Sequence, residues 1–436
     1  MTSVVQLYSL NPKEIDNWNM ADADEQTVDI AWWHQPHVPP RSNVRLRFTR
    51  GQLVDDSPVP GNEYSNVLPL AIVPPLVNSH AHLEFSTRTR PILPASPFPD
   101  WVRSVIRWRI EHAVSGPAGV STGLNECRSH AVSAVGEITT SDDALLRLQT
   151  GMMDIVSFRE LIGLLPDHVS TQVDVMNRHV EYFASSPQGF VHPGISPHAP
   201  YSVHPDLVAA AADAGCFHSI PVAMHLGETK DELELLDTGT GAFVDFLQQM
   251  NLWDPAVLPR GSTVLRYLQQ LAKLPRALAV HCNYLTDKEI QFLGQHPQIA
   301  VVYCPRTHHF FGHQSHPWLR IQAAGGSVVL GTDGRSSNPD LSIWKELQFL
   351  ASRTSDAASV DLLPMVTTHA ALALGFEDHH DSNGAFSGAV IMLPADSSDQ
   401  QDALLSPGSR PVARLVSSGD RVTLLLCEPL HEHGGK

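Results

Sequence analysis

Residues 71–86 read AIVPPLVNSHAHLEFS, an apolar run that ends in two histidines one residue apart. An apolar run of this length predicts a buried strand, and His80 and His82 near its carboxyl end have the spacing of a pair of metal ligands. The alternative is two unrelated surface histidines, because the chain contains 24 of them. The weight of this pair therefore depends on whether other parts of the chain supply further ligands.

The composition indicates a large globular protein. The chain has 436 residues, of which 42% are hydrophobic and 17% are charged, which suits one large domain with a smaller one. Its 29 basic and 46 acidic residues give a net charge of -17. This charge disfavours a nucleic-acid backbone or an anionic membrane surface as partner. We therefore expect no nucleic acid and no membrane as partner; the partner that we expect is a small-molecule substrate, and a homo-oligomer stays open.

Cysteine usage and the first residues indicate a cytoplasmic protein. The five cysteines are scattered and form no C-x-x-C pair, so neither a disulfide framework nor a thiolate zinc site is predicted. The opening MTSVVQLYSLNPKEIDNW lacks a basic segment followed by a long apolar one, and no run approaches the roughly 18 apolar residues of a membrane span. We therefore expect the protein in the cytoplasm.

Apolar runs and helix-like segments alternate through the middle of the chain. Eight runs predict strands, at residues 71–77, 134–138, 152–158, 190–196, 221–226, 277–282, 299–304 and 327–332. Stretches such as 101–113 and 287–295 predict helices between them, and 355–376 predicts a helix that closes the arrangement. This alternation is typical of a (β/α)8 barrel. A doubly wound open sheet is the runner-up, but the two histidines take the place of its glycine-rich phosphate loop.

The two ends of the chain differ in character from the middle. Early residues combine short β-prone pieces with proline, glycine, asparagine and aspartate, and strand-like runs return near the end at 388–393 and 422–427. We expect the early and late pieces to pair. The sequence thus predicts an α/β protein, with a small β domain of residues 1–70 and 377–436 and a (β/α)8 TIM barrel of residues 71–376.

Polar residues stand at the ends of several predicted barrel strands. His80 and His82 follow the first strand, His225 ends the fifth, His281 lies in the last positions of the sixth, and Asp333 follows the eighth. The carboxyl ends of barrel strands meet at one mouth, where active sites of this fold lie. Three imidazoles and one carboxylate suit a metal ion and leave a position for water. The sequence predicts one divalent metal ion here, zinc first and iron(II) as the alternative.

Glu228 lies three residues after His225, in the motif HLGET. A carboxyl group at this place can reach both the metal-bound water and the leaving group, as a proton shuttle requires. His281 has two interpretations, a fourth nitrogen ligand or a hydrogen-bond partner of the water or a developing oxyanion. The second suits a site with a single metal ion better.

The ordered motifs NSHAHLEFS, SPHAPYSV, HLGET, VHCNYL and LGTDGRSSN resemble the amidohydrolase superfamily, specifically its mononuclear deaminase and chlorohydrolase-like branch. The resemblance covers about residues 65–380, and HLEFS resembles aminofutalosine and adenosine-derivative deaminases more than cytosine deaminases. It implies a metal site made of His80, His82, His225 and Asp333. It also implies that Glu228 and His281 handle protons and the water.

The fourth strand bears on the number of metal ions. Binuclear members of the superfamily carry a carbamylated lysine there, whereas this chain reads Ser196-Pro197-His198, so the resemblance favours one metal ion. A divalent cation lowers the pKa of its water from 15.7 to roughly 7. We expect Glu228 to carry a proton from this water to a ring nitrogen of the substrate. Asp333 would help to move the second proton as ammonia leaves.

The sequence therefore predicts a metal-dependent hydrolase that deaminates an amino-substituted heterocycle or a nucleoside-like compound. A chlorohydrolase or an amide hydrolase uses the same ligands and is the alternative within the class. A barrel that binds a metal ion or a small ligand without catalysis is the alternative from another class. Ammonia release and metal content separate these hypotheses.

Three residues near the strand ends are candidates for substrate binding, each with a structural alternative. His198, after the fourth strand, is the first, against a loop that is packed by Tyr201 and Ser202. Glu84 suits a sugar hydroxyl or an amine, or else orients a ligand histidine. Arg159, after the third strand, suits a carboxylate or a phosphate-like group, or else a structural ion pair, because its planar fork binds carboxylates bidentately.

Two further segments supply candidates. Trp101 and Trp108 lie seven residues apart behind the proline-rich loop 91–99, a spacing that predicts an apolar packing face and leaves a lid role for the loop open. The motif CPRTHHFFGH follows the seventh strand and offers Arg306 and His308 as substrate contacts. We expect its other histidines to be exposed. A second metal site in this motif is the alternative.

Overall fold

The computed structural model describes residues 25–36, 38–49, 52–112, 116–141, 153–185, 190–258, 260–354, 362–376, 387–394, 404–418 and 421–427. Among these ranges, no helix combines the length and the hydropathy that a membrane crossing requires.

The strands are, in chain order, β1 (Glu25–Trp33), β2 (Arg41–Thr49), β3 (Gln52–Pro58), β4 (Leu68–Val73), β5 (Leu76–His82), β6 (Val132–Thr139), β7 (Asp154–Leu161), β8 (Val191–Pro197), β9 (Val222–Leu226), β10 (Ala277–His281), β11 (Ile299–Tyr303), β12 (Ser327–Leu330), β13 (Asp333–Gly334), β14 (Gly388–Met392), β15 (Arg410–Ser418) and β16 (Arg421–Leu426). The α-helices are α1 (Phe98–Glu111), α2 (Gly116–Ser129), α3 (Pro166–Ser185), α4 (Pro205–His218), α5 (Lys230–Thr238), α6 (Ala242–Gln249), α7 (Val264–Leu271), α8 (Asp287–Gln295), α9 (Pro305–Phe310), α10 (Trp318–Ala323), α11 (Ile343–Ala351) and α12 (Thr368–Leu374). Short 3-10 helices cover Gly61–Asn66, Leu83–Thr87 and Leu363–Val366.

Strands β5 to β13 form a closed parallel sheet in the order β12-β11-β10-β9-β8-β7-β6-β5-β13. The short β13 follows β12 after two residues and pairs with β5, with Asp333 opposite Ala81. β12 and β13 therefore act as one eighth strand, which pairs with β11 on one side and with β5 on the other. This closure confirms the predicted (β/α)8 barrel.

Small and branched side chains fill the barrel interior. The cluster contains Val77, Ala134, Val156, Phe158, Ala223, Leu278, Val280, Ala300, Val302 and Val329, together with Ala370 and Leu374 of α12. Most of these strand residues lie in the first half of their strands. Because α12 belongs to the same cluster, it covers the amino-terminal end of the barrel. Within the predicted closing helix 355–376, residues 355–361 lie outside the described residues. The carboxyl-terminal end of the barrel is left for polar side chains.

The smaller sheet combines both ends of the chain, in the order β16-β15-β14-β4-β1-β2-β3. β14 pairs antiparallel with β4, with Ile391 opposite Ala71, so the late strands extend the early ones. Its apolar cluster includes Ile30, Trp33 and Leu46, which are almost completely buried. The sheet confirms the predicted β layer built from both ends of the chain. The bounds of the two predicted domains stay a prediction.

The first predicted strand, 71–77, is wrong. β4 ends at Val73 in the smaller sheet, and β5 begins at Leu76 in the barrel. Between them lies Pro74-Pro75, whose residues have no N–H group to donate to a ladder and so separate the two strands. The chain therefore passes from one sheet to the other inside the stretch that was predicted as one strand.

Candidate metal and active site

Five polar side chains converge at the carboxyl-terminal mouth of the barrel. They are His80 and His82 of β5, His225 of β9, His281 at the end of β10 and Asp333 at the start of β13, and all five are buried. The sequence had placed His80 and His82 after the first strand. In the structure both lie inside β5. Their spacing of two residues puts both side chains on the same face of the strand. The structure thus brings the predicted metal ligands together.

Nitrogen and oxygen atoms of this cluster lie close enough to share one cation. Ligand atoms of His80, His225 and His281 lie within 4.8 Å of one another, and so do those of His80, His82 and Asp333. Asp333 Oδ1 lies 3.7 Å from His80 Nε2 and 3.5 Å from His82 Nε2. His80 Nε2 is buried without a hydrogen-bond partner among the described residues. Because an unpartnered buried nitrogen is costly, the cluster fits a divalent metal ion.

The electrostatics of the cluster favour the protonation states that bind a cation. Burial lowers the pKa of His82, His225 and His281 well below the usual value, which keeps these imidazoles neutral. Burial alone would raise the pKa of Asp333, but the neighbouring imidazoles outweigh it and hold that pKa below its usual range. Neutral imidazoles and an ionised carboxylate are the forms that coordinate metal ions.

Two of the five residues have a left-handed backbone conformation. The φ angle is 69° at His281 and 57° at Asp333, values that residues other than glycine rarely adopt. Val280 faces the barrel interior, so strand alternation alone would turn His281 away, and the positive φ brings it to the cavity. His316 Nε2 supports this turn by donating to the His281 carbonyl at 2.7 Å. Strained backbone of this kind clusters at functional sites.

Ser337 orients the carboxylate of Asp333. Its Oγ donates to Asp333 Oδ2 at 2.6 Å and lies 3.0 Å from Thr307 Oγ1. With Oδ2 held in this way, Oδ1 faces His80 and His82. Ser337 therefore acts on the candidate metal site through Asp333.

We expect Ser337→Ala to lower zinc affinity by about 10- to 100-fold, because loss of the partner that orients a ligand has effects of this size. Competition with a chromophoric chelator measures the affinity. Thr307→Val is the matched control, since it removes the contact between Thr307 and Ser337 and keeps the bond to Asp333. Unchanged zinc affinity in Ser337→Ala would contradict the assigned role.

Hydrogen bonds to the backbone of Gly227 and Glu228 hold Glu228 beside the cluster. The N–H groups of Gly227 and Glu228 donate to the Glu232 carboxylate at 2.9 and 3.0 Å, and Asn283 Nδ2 donates to the Glu228 carbonyl at 2.9 Å. Glu228 Oε1 lies 3.5 Å from His281 Nε2. Burial raises the pKa of Glu228 well above its usual value. A carboxyl group whose protonated form is favoured in this way is suited to carry a proton.

A cavity of about 260 Å³ opens from this cluster. Its polar lining includes His82, His225, Glu228, His281 and Asp333. Its apolar walls come mainly from α1 and from α6 with the residues after it, and they include Phe98, Trp101, Val105, Ile106, Phe246, Leu247 and Met250. Apolar walls with a few convergent polar groups are typical of a small-molecule site.

The structure brings two of the predicted substrate contacts to this cavity. His198 and Trp101 line it, and Trp101 also stacks on Phe98 with 5.3 Å between ring centroids. Among the described residues, those that line the cavity do not include the other four candidates, Glu84, Arg159, Arg306 and His308. Glu84 instead pairs with Arg109, a cavity residue that the sequence had not indicated.

Strand β7 explains the position of Arg159. Val156 and Phe158 face the barrel interior, whereas Leu161 packs toward the helices. Alternation therefore puts Arg159 on the helix side and Glu160 on the inner side, where Glu160 lines the cavity. The prediction chose the neighbouring residue of the strand. The alternation that starts at Val156 would have predicted that Glu160 faces the interior.

Arg306 belongs to an ion-pair network away from the cavity. Its Nε donates to Glu346 Oε1 at 2.7 Å and its Nη2 to Asp340 Oδ1 at 2.9 Å. Glu346 is completely buried and also accepts from Asn338 Nδ2 at 2.6 Å. The network therefore anchors the segment between β13 and α11.

We expect Arg306→Ala to lower the free energy of unfolding by about 3–5 kcal/mol, because it leaves the charge of Glu346 buried and uncompensated. Urea unfolding measures this change. Arg320→Ala is the matched control, since Arg320 pairs with Asp287 at the exposed surface, where an ion pair contributes about 0–1 kcal/mol. Equal losses in the two variants would show that the Arg306 network contributes no more than a surface pair.

His308 lies in a group of aromatic rings beside the metal cluster. Its ring centroid is 5.5 Å from that of Tyr303, 5.4 Å from that of His313 and 6.0 Å from that of His316. His309 is exposed. Within the described part of the chain, the groups of metal-ligand atoms that converge within 4.8 Å include none of these histidines. The alternative of a second metal site in this motif is therefore not supported.

The fold and the cluster define a (β/α)8-barrel protein of the metal-dependent hydrolase class. Residues 71–381 match the sequence profile of the Amidohydrolase family, and the chain belongs to this family. The match confirms the family that the motifs had indicated.

Similar proteins with known names are deaminases and related hydrolases. The aminodeoxyfutalosine deaminase of Deinococcus radiodurans is 28% identical over 297 residues, which cover 64% of this chain and 67% of that protein. The aminofutalosine deaminase of Helicobacter pylori, solved with methylthio-coformycin, has a TM-score of 0.73 at 17% identity over 91% of this chain and 100% of its own. A mutant atrazine chlorohydrolase of Arthrobacter aurescens, solved with zinc and atraton, has a TM-score of 0.70 at 17% identity over 93% and 96%. The solved structures confirm the fold, and the named relative agrees with the predicted deamination.

Proposed function

We propose that the protein is a metal-dependent deaminase that hydrolyses the amino group of an amino-substituted heterocycle, with adenine nucleoside derivatives as the substrate class. The observation that carries this proposal is the buried histidine and aspartate cluster, with Glu228 beside it, at the end of a cavity whose walls are largely apolar. An aromatic ring suits the apolar walls, and its amino group suits the polar cluster. The name of the Deinococcus radiodurans relative supports this type of reaction.

We infer that one divalent cation is held by His80, His82, His225 and Asp333, with zinc ahead of iron(II). Support comes from the donor types, from the unpartnered Nε2 of His80 and from the zinc in the similarly folded chlorohydrolase. When bound, the cation supplies a water molecule with a lowered pKa.

Glu228 moves protons in this scheme. Its carboxyl group takes a proton from the water and gives it to a ring nitrogen of the substrate, and Asp333 helps to move the second proton as ammonia leaves. His281 Nε2, which lies 3.5 Å from Glu228 Oε1, offers a hydrogen bond to the developing oxyanion. Trp101 and His198 contact the substrate from the wall of the cavity.

Product release from a panel of compounds tests the proposal. The zinc-loaded protein is incubated with adenosine, 5'-deoxyadenosine, an aminopterin and atrazine, and ammonia and chloride are measured. We expect ammonia from at least one adenine nucleoside, with kcat/KM on the order of 10⁴ M⁻¹s⁻¹ or more. Chloride without ammonia would favour the chlorohydrolase alternative. No product from any compound, with zinc bound, would favour a barrel without catalysis.

A further inference from the structure

Glu160 presents an unsatisfied acceptor at the wall of the cavity. Its side chain is only 2% exposed, and Oε2 makes a long contact of 3.4 Å with Arg109 Nη2. Oε1 is buried and has no hydrogen-bond partner among the described residues. Because a buried carboxylate oxygen without a donor is costly, native proteins keep one mainly where a function requires it.

Arg109 does not satisfy this oxygen because it is committed to Glu84. Its Nε and Nη2 donate to Glu84 Oε1 at 3.0 and 2.6 Å, and Thr140 Oγ1 donates to Glu84 Oε2 at 3.3 Å. Both oxygens of Glu84 therefore have partners within the chain. Of the two carboxylates beside Arg109, Glu160 is the one that lines the cavity with an oxygen to spare.

His198 provides a second acceptor next to Glu160. Its Nε2 lies 3.9 Å from Glu160 Oε1, beyond hydrogen-bond distance. Its Nδ1 lies 2.6 Å from Ser202 Oγ, and the Ala199 carbonyl oxygen lies 3.1 Å from the same hydroxyl as an acceptor for its hydrogen. We assign the hydroxyl hydrogen to Ala199 and the imidazole hydrogen to Nδ1, an assignment in which Nε2 keeps a lone pair.

We propose that Glu160 Oε1 and His198 Nε2 form an acceptor pair that recognises a substrate group with two donor hydrogens. Hydrogen bonds of roughly 2.7–3.0 Å reach both atoms from a point between them. A primary amine or two neighbouring hydroxyl groups, such as those of a sugar, meets this requirement. The pair makes Glu160 a specificity-determining residue. This inference rests on the proposed function in that it takes the same cavity as the substrate site.

The substitution Glu160→Gln replaces the hydrogen-bond acceptor at this position by a donor. Arg109 Nη2 is a donor, so the amide oxygen of the new side chain would turn toward it. The amide NH2 group would then face His198 Nε2 and take the place of the substrate donor. The variant keeps the side-chain volume but replaces the acceptor by a donor and removes the negative charge beside Arg109.

The test compares adenosine, which carries the two hydroxyl groups, with 2',3'-dideoxyadenosine, which lacks them. In the wild type we expect kcat/KM for adenosine to be about 10- to 100-fold higher, as for loss of a hydrogen bond to a charged group. In Glu160→Gln this ratio should fall to near unity. Glu234→Gln, on the exposed side of α5, is the matched control and should keep the wild-type ratio. A wild-type ratio in Glu160→Gln would overturn the inference.

A third nucleoside identifies the donor group, and a second variant covers the case in which Glu160→Gln does not fold. If 3'-amino-3'-deoxyadenosine exceeds adenosine in the wild type, and Glu160→Gln removes this difference, the donor is an amine; the reverse order identifies the hydroxyl pair. If Glu160→Gln does not fold, Glu160→Asp, which withdraws the acceptor from His198, should lower the same ratio. An unchanged ratio in Glu160→Asp would again overturn the inference.

Binding measurements separate this inference from the proposed function. If the wild type releases no ammonia, titration calorimetry with the same two nucleosides replaces the rate assay. A preference for adenosine that disappears in Glu160→Gln would support the acceptor pair, although the proposed reaction had failed. Equal binding of the two nucleosides, or no binding of either, would overturn the acceptor pair as well.

Discussion

Replacing Glu228 by glutamine is expected to lower kcat by about 10²- to 10⁴-fold, the range that general acid–base catalysis contributes. Glutamine has the shape of glutamate but cannot take a proton from water and return it to the substrate. Glu228 belongs to neither group of converging metal-ligand atoms, so the variant should keep its metal ion. A loss of rate without a loss of metal is the combination that identifies a proton shuttle.

The measurement combines ammonia release with elemental analysis of the same protein sample. Glu234→Gln is the matched control, because Glu234 lies on the exposed face of α5, six residues further along the chain. It should keep both the rate and the metal content of the wild type. A near-normal rate in Glu228→Gln would remove Glu228 from the reaction. Loss of the metal ion together with the rate would instead make Glu228 a ligand.

Much of the barrel can be predicted because its signals are local. Helix α8 is predicted at 287–295 with its observed bounds, and Thr286 and Glu289 form a capping box that marks its start. The break at Pro74-Pro75 is harder to predict, because apolar residues continue on both sides of it. The pairing partners change there, from β14 for β4 to β6 for β5. Which sheet a strand joins depends on tertiary contacts that a local run does not contain.

The apolar wall of the cavity cannot be predicted in the same way. Phe246 and Leu247 of α6 belong to this wall, yet no helix is predicted between residues 226 and 263. α5 and α6 have nine and eight residues, so each spans little more than two turns and shows few repeats of the helical period. Short helices of this kind depend on packing rather than on their own sequence pattern.

The residues of the candidate metal cluster can be predicted because each lies near a strand end, whereas the orientation of nearby residues depends on finer detail. Arg159 and Glu160 differ by one position, and one position decides which face of a strand a side chain occupies. His281 follows an inward residue and reaches the cavity through a positive φ. A histidine carries no sequence signal for that conformation, which glycine would have indicated.

Loss of His80 is expected to remove the metal ion and to lower turnover by about 10³-fold or more, because water without the cation returns from a pKa of about 7 toward 15.7. His80 belongs to both groups of converging ligand atoms, so His80→Ala leaves neither group complete. Elemental analysis should find about one zinc or iron ion per wild-type chain and close to none in the variant.

The same metal ion should also stabilise the fold, because it binds the folded chain only. A ligand present at 1,000 times its Kd adds about 4.1 kcal/mol to the free energy of unfolding. Dialysis of the wild type against a chelator should therefore lower Tm, and added zinc should restore it, whereas Tm of His80→Ala should respond to neither. His309→Ala, which removes an exposed histidine, is the matched control and should behave as the wild type. A His80→Ala protein that retains zinc and zinc-dependent Tm would place the metal ion elsewhere.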